Sequence, residues 1–208
     1  LATRECPVLF VPEVARSLLG HLVGAVSGGA LYRRASFLLD HAGKAVLPAW
    51  MSLREEPHLR RGHGSGAFDS EGVATVASDL VRDGVLQRYV LGSYSARKLG
   101  LESTGNAGGI HNLVANANAG DFADLVSRMG SGLVVTELMG QGVNLVTGDY
   151  SRGAAGFWVE DGAIAYPVEE ITIAGNLRQM LLGIEAVGSD VDQRSHILCG
   201  SILLGRMT

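Results

Sequence analysis

Residues 133–175 read LVVTELMGQGVNLVTGDYSRGAAGFWVEDGAIAYPVEEITIAG. The segments LVVTELM, GVNLVTGDY, AGFWVEDGAIAY and EEITIAG are rich in β-branched and aromatic residues and follow one another as strand signals. Asp161-Gly162 divides two such runs as a tight hairpin turn does, since both turn positions need positive φ. Strands that neighbour in sequence and are joined by short turns pair antiparallel, so the stretch predicts an antiparallel sheet or barrel rather than parallel units with crossover helices.

The same signals extend outward. Upstream, SFLL (36–39), KAVLPAWMSL (44–53) and VATVASDLVRDGVLQRYVL (73–91) read as strands, with Asp83-Gly84 as a second hairpin turn and Asp69 to Gly72 as another turn. Ile110 to Val114 and Ile197 to Leu204 add two more. Three segments interrupt them with helical character. Pro12 and Glu13 suit a first turn, and Val14, Leu18, Leu22 and Val26 put an apolar stripe on one face. Asp121 caps DFADLVSRM, which Gly130 stops, and Asn176 caps NLRQMLLGIEAV. Tyr94 to Leu99 makes one further helical turn. Gly20, Gly24 and Gly28 recur on the first helix, each at a cost of about 1 kcal/mol against Ala, and predict close packing of another backbone. No fixed-period repeat and no linker divides the chain, which reads as a single domain over residues 1–208: α+β, β-rich and antiparallel β-barrel-like, with a few helices.

Composition narrows the function. Against 21 acidic residues stand 17 Lys and Arg, a net charge of −4, which leaves no electrostatic footprint for nucleic acid. The longest uncharged run, Ser17 to Tyr32, falls short of the roughly 20 apolar residues of a membrane helix. No secretory signal opens the chain, and Cys6 and Cys199 read as thiols of a reducing compartment, so a cytoplasmic protein is expected. The 29 glycines, about twice the usual share of roughly 7%, imply many tight turns. The start at Leu1 rather than Met reads as a piece of something longer.

Few residues here can do chemistry. A helix-borne zinc site needs two histidines about a turn apart and a glutamate to take a proton from bound water. Within Val14 to Ala30 the only potential ligand is His21, so packing explains it better than coordination. His58 and His63 flank Arg60-Arg61 in a stretch read as an exposed loop. His196 and Cys199 point to opposite faces if SHILC is a strand, which argues against a shared ion; packing explains Cys199 better than a nucleophile, and a hydrolase using Cys199 with a histidine from elsewhere in the chain stays open as a third reading. No cofactor is expected. In GNAGGIHN (105–112), small residues would let a ligand or chain approach the backbone, and His111 and Asn112 supply polar groups; a wide turn explains the segment as well. In DYSRGAAGFW (149–158), Arg152 is available for a carboxylate, though a hairpin tip accounts for that segment equally.

LLGHLVGAVSGGALYRRASFLLD, VLGSYSARKLGLESTGNAGGIHN and, above all, residues 137–177 resemble the C-terminal domain of the TldD/PmbA family on its PmbA (TldE) side. The family comprises peptide-maturation metalloproteases and proposed modulators of DNA gyrase. The resemblance covers nearly the whole chain and implies a β-barrel-like domain whose N-terminal α+β neighbour is absent here. It also implies a cytoplasmic heterodimer with a TldD-like zinc subunit that cleaves unfolded or leader peptides. In register from Arg33-Arg34, the zinc helix's motif falls on Gly20 to Ala25, with His21 at the glutamate's place, so no metal role carries over. The resemblance therefore implies a metal-free subunit that helps enclose a peptide, with Gly108, Gly109, His111, Asn112, Gln141 and Asn144 as candidate peptide contacts. The alternative is a non-enzymatic, self-associating scaffold, and a homodimer is compatible with either.

Overall fold

The computed structural model describes residues 2–208. In chain order the elements are β1 (Cys6–Phe10), α1 (Pro12–Ala25), α2 (Gly28–Tyr32), β2 (Leu53–Glu55), β3 (Ser78–Arg82), β4 (Val85–Leu86), α3 (Ser93–Leu99), β5 (Leu113–Ala115), α4 (Phe122–Met129), β6 (Gly132–Met139), β7 (Asp149–Glu160), β8 (Ala163–Asn176), α5 (Leu177–Leu182), β9 (Ile184–Val187), β10 (Ile197–Leu198) and β11 (Ile202–Met207). They form a six-stranded sheet, ordered β8-β7-β6-β1-β11-β9, and a five-stranded sheet, ordered β10-β5-β2-β3-β4.

Both predicted hairpins form. Asp161 and Gly162 take φ of 50° and 75° between β7 and β8, and Asp83 and Gly84 take 50° and 77° between β3 and β4. These are the positive-φ pairs that match the twist of the flanking strands. Asp121 caps α4 by accepting hydrogen bonds from the Ala123 and Asp124 amides, and Asn176 caps α5 through the Arg178 amide.

The central strand of the larger sheet, β1, has no counterpart in the periodicity reading. Val8, Leu9 and Phe10 are all buried, because the sheet is covered on both faces. Val8 and Phe10 join the core beneath α1, while Leu9 packs with Leu125, Val126 and Met129 of α4 on the other side. A strand buried on both faces loses its polar alternation.

Several expectations are corrected. Pairing is not wholly antiparallel: β1 runs parallel to β6, and β10 parallel to β5. Among the described residues the larger sheet forms no closed barrel. Its edge strand β8 curls far enough for Ala174 and Thr208 to exchange two backbone hydrogen bonds, at 2.6 and 3.2 Å, and among the described residues no longer ladder closes the sheet there. GVNLVTGDY is not one strand: Asn144 Oδ1 accepts from the Val146 amide at 2.9 Å, bending the chain into a turn before β7. SFLL is mostly a turn, and KAVLPAWMSL is irregular apart from an isolated bridge at Ala45 and the strand residue Leu53. The helix predicted through IEAV ends at Gly183, and IEAV becomes β9.

The apolar stripe of α1 is buried as predicted at Val14, Leu18 and Leu22, with Val26 just beyond. Only Gly20 and Gly24 of the three recurring glycines lie on α1, since Gly28 opens α2, and a Cβ on any of them would meet side chains rather than a backbone. A Cβ at Gly28 would lie 2.2 Å from Ser95 Oγ and one at Gly24 3.2 Å from Leu145 Cδ1, whereas at Gly20 the nearest atom is an ordinary 3.8 Å away. No helix among the described residues is long and apolar enough to cross a membrane.

Candidate peptide groove and its supporting network

The strand β2 alternates, with Leu53 buried, Arg54 exposed and Glu55 buried, so Glu55 shares the inward face of Leu53. A buried carboxylate is costly unless paired and fully hydrogen-bonded, and here it is both. Arg88 Nη2 donates to Glu55 Oε2, while Oε1 accepts from the Asn106 side-chain amide at 2.8 Å and from the His111 backbone amide at 2.7 Å. The His111 ring reaches the same oxygen through Nδ1 at 2.8 Å. Arg88 also donates to Ser78 Oγ, the Tyr89 carbonyl and Asn106 Oδ1. One ion pair therefore fixes the start and the end of the loop 105–112.

Asn112, fully buried, anchors that loop to a second one. Its Oδ1 accepts from the Gly64 amide at 2.8 Å, and its Nδ2 donates to the Glu56 carbonyl and to Ser65 Oγ. The GHGSG segment is thus wrapped around an asparagine: a Cβ on Gly62 would lie 2.6 Å from Asn112 Nδ2. Between the two anchors Gly108 and Gly109 stand exposed, with φ of 100° and 120°.

These glycines face α1 across a groove of about 530 Å³, lined also by Arg16, Ser17, Gly20 and Val23 of the helix and by Ser195 and His196. The His196 wall is held to the helix by an Arg16–Asp192 ion pair at 3.2 Å and by Arg194 bound to Glu13. Of the predicted peptide contacts, Gly108 and Gly109 line this groove, and His111 and Asn112 brace the loop behind it. Gln141 and Asn144 lie apart, exposed in the β6–β7 connection. Glu55 and Arg88, which organise the loop, escaped the sequence reading, although the Leu53/Glu55 alternation carried the signal.

His21 projects from α1 away from the groove. Its ring meets Tyr150 edge-on at 6.1 Å between centroids, and its Nε2 is buried without a partner. Burial, reinforced by the charge of Arg152, pushes its pKa below the ordinary histidine value. Among the described residues no three His, Cys, Asp or Glu side chains gather closely enough to hold a metal ion. A metallopeptidase centre therefore does not fit the donors of this domain.

Cys199 is buried, and burial drives its thiol pKa up to about 12, which removes the thiolate a nucleophile requires. The native thiol is expected to resist alkylation near pH 8 and to react once the chain unfolds. The folded thiol keeps its proton above the unfolded value, so its contribution is intact below that value and is lost as pH rises from it towards 12. The fall in urea midpoint between about pH 8 and pH 10 should be smaller in Cys199→Ala than in the parent; equal falls would show that the thiol is not protected.

Comparison with known proteins follows the same outline. Residues 3–208 match the family described as PmbA/TldA metallopeptidase C-terminal domain. Metalloprotease PmbA of Escherichia coli O157:H7 is 58% identical over 207 residues, covering 100% of this chain and 46% of that protein. A crystal structure of a proposed modulator of DNA gyrase from Bacteroides thetaiotaomicron superposes with a TM-score of 0.93 at 30% identity, over 98% of this chain and 46% of the other. TldE from Thermococcus kodakarensis superposes at 0.85 and 25% identity, over 98% of this chain and 50% of that one. The chain thus spans about half the length of these relatives.

Proposed function

Because the chain belongs to the PmbA/TldD metallopeptidase family as its C-terminal domain, we propose that it acts as the metal-free, PmbA/TldE-type part of a two-component peptidase. In this reading it helps enclose an unfolded or leader peptide while a TldD-like partner supplies the zinc and the chemistry. The observation that carries the reading is the donor set of α1: one imidazole, no second histidine and no adjacent carboxylate. A catalytic zinc ion is held by three protein ligands and keeps a further position for the water it activates. The groove between α1 and Gly108-Gly109 suits a chain recognised through its backbone, because exposed glycines let a peptide approach without selecting its side chains.

The experiment is metal analysis and cleavage of a labelled unfolded peptide by this protein alone and then with a TldD-like subunit. Activity and zinc only in the mixture support the reading; stoichiometric zinc or cleavage by the isolated protein overturns it. Val23→Trp narrows the groove from a half-buried position and is expected to slow cleavage by the pair several-fold without loss of folding; an unchanged rate would move the peptide elsewhere.

A second reading, a non-enzymatic scaffold that self-associates, draws on the description of its structural neighbour as a proposed modulator of DNA gyrase. It also draws on the 14-residue edge strand β8, which exposes Ile164 and Tyr166. Unpaired edges of this kind recruit further strands. Inertness with the TldD-like subunit, together with a concentration-dependent dimer, would favour it.

A further inference from the structure

Arg152 occupies an unusual place. Side chains on β7 alternate, and Tyr150 and Ala154 on either side of it are buried in the main core while Ser151 is exposed, so Arg152 points inward. Inward charges can protect sheet edges, but β7 is paired on both sides, with β6 and with β8. The guanidinium reaches the Leu138 carbonyl through Nη2 at a long 3.5 Å and lies against the Tyr150 phenol, and its Nε is buried without a partner. The ion pairs among the described residues leave it without a carboxylate. Arg88, likewise half-buried, has Glu55.

The neighbours of Arg152 deepen the imbalance. His21 Nε2 is a second buried nitrogen without a partner, and the His21 ring meets Tyr150 edge-on. The Tyr150 phenol, pushed by burial to about 12 although the neighbouring Arg152 pulls the other way, keeps its proton and so brings the guanidinium no negative charge. A guanidinium, a phenol and an imidazole converge with no acceptor of opposite charge, and a guanidinium in this state is costly until an anion meets it. From this geometry we infer that Arg152, flanked by Tyr150 and His21, is a binding point for a carboxylate. The planar guanidinium fork matches the two carboxylate oxygens, and the apolar surroundings penalise a dianion such as phosphate more heavily.

The inference rests on the peptide-holding reading above, since peptides carry carboxylates at their C-termini and on Asp and Glu, and it adds a contact outside the Gly108-Gly109 groove, from which His21 points away. Its test uses this chain alone, so its failure leaves the partnership with a zinc subunit standing. Calorimetric titration with acetyl-dialanine, with its amide and with an amidated peptide containing one internal Asp should show binding of a carboxylate-bearing probe and none of the simple amide. Preference for acetyl-dialanine assigns a peptide C-terminus, and preference for the Asp peptide assigns a side chain. Arg152→Gln should weaken that binding about tenfold or more, the loss of a charged hydrogen bond, and Arg152→Lys less. Without ligand, Arg152→Gln should melt at or above the parent temperature, because it removes a charge that has no counter-ion. Binding of neither acid, binding unchanged in Arg152→Gln, binding of inorganic phosphate alone, or a melting point several degrees below the parent's would each overturn the inference.

Discussion

Glu55→Ala is expected to lower the unfolding free energy by about 3–5 kcal/mol, the range for removing one partner of a buried ion pair. That is a large part of a domain's usual margin of roughly 5–15 kcal/mol. Most of the loss comes from what remains behind. Arg88 would stay in the interior with its charge unmatched, and the His111 and Asn106 donors now satisfied by Oε1 would lose their acceptor. Glu55→Gln keeps the shape and one acceptor oxygen, so it should fall between the two. Glu55→Ala combined with Arg88→Met should recover much of the loss, because the orphaned charge goes with it. Urea denaturation of the four proteins checks this, and a change below about 1 kcal/mol for Glu55→Ala would show that the pair is not what holds the loop. The same variant should also loosen the Gly108-Gly109 wall of the groove, since the loop is tied down beside it.

The parts of this architecture legible in the sequence are those written in local chemistry. Asp-Gly at 83–84 and 161–162, the caps Asp121 and Asn176, and the four-residue stripe of α1 each dictate structure over a few residues, with no help from distant ones. The failures share a cause in long-range packing. β1 carries no alternation because both its faces are covered, by α1 on one side and α4 on the other. IEAV is a strand because β11 pairs with it, although its residues continue a helical pattern. The candidate site divides in the same way. Gly108 and Gly109 are legible as small residues near polar ones, whereas Glu55 and Arg88 meet across 33 residues from segments that read as an exposed loop and as a strand. Asn112 was singled out as a polar group, but its bonds to Gly64, Glu56 and Ser65 make it the peg of a neighbouring loop.

Gly156→Ala should be about as damaging as the loss of Glu55, through sterics rather than charge. Gly156 does not adopt a left-handed conformation, so its backbone angles alone would admit alanine. The obstacle is space: a Cβ there would lie 1.8 Å from the Val134 carbonyl oxygen and 2.9 Å from its carbon, atoms of a neighbouring strand that has no rotamer to change. The register is irregular on both sides, between Val135 and Glu137 on β6 and between Ala154 and Gly156 on β7 where it pairs with β8. Bulges of this kind bring backbones closer than a regular ladder does, and glycine is what tolerates the approach. β6 cannot yield easily, because Val134 is also paired with Leu9 of the central strand. The expected cost is about 3 kcal/mol, the upper end for overpacking. Gly153→Ala on the same strand is the control, since its Cβ would meet Met139 Cβ at 3.4 Å, an ordinary contact. It should be neutral, or stabilising by about 0.5 kcal/mol from the reduced freedom of the unfolded chain. A urea midpoint for Gly156→Ala equal to that of Gly153→Ala would mean that β6 and β7 separate at little cost, and the sheet would then be a far softer platform for α1 and its groove than this packing implies.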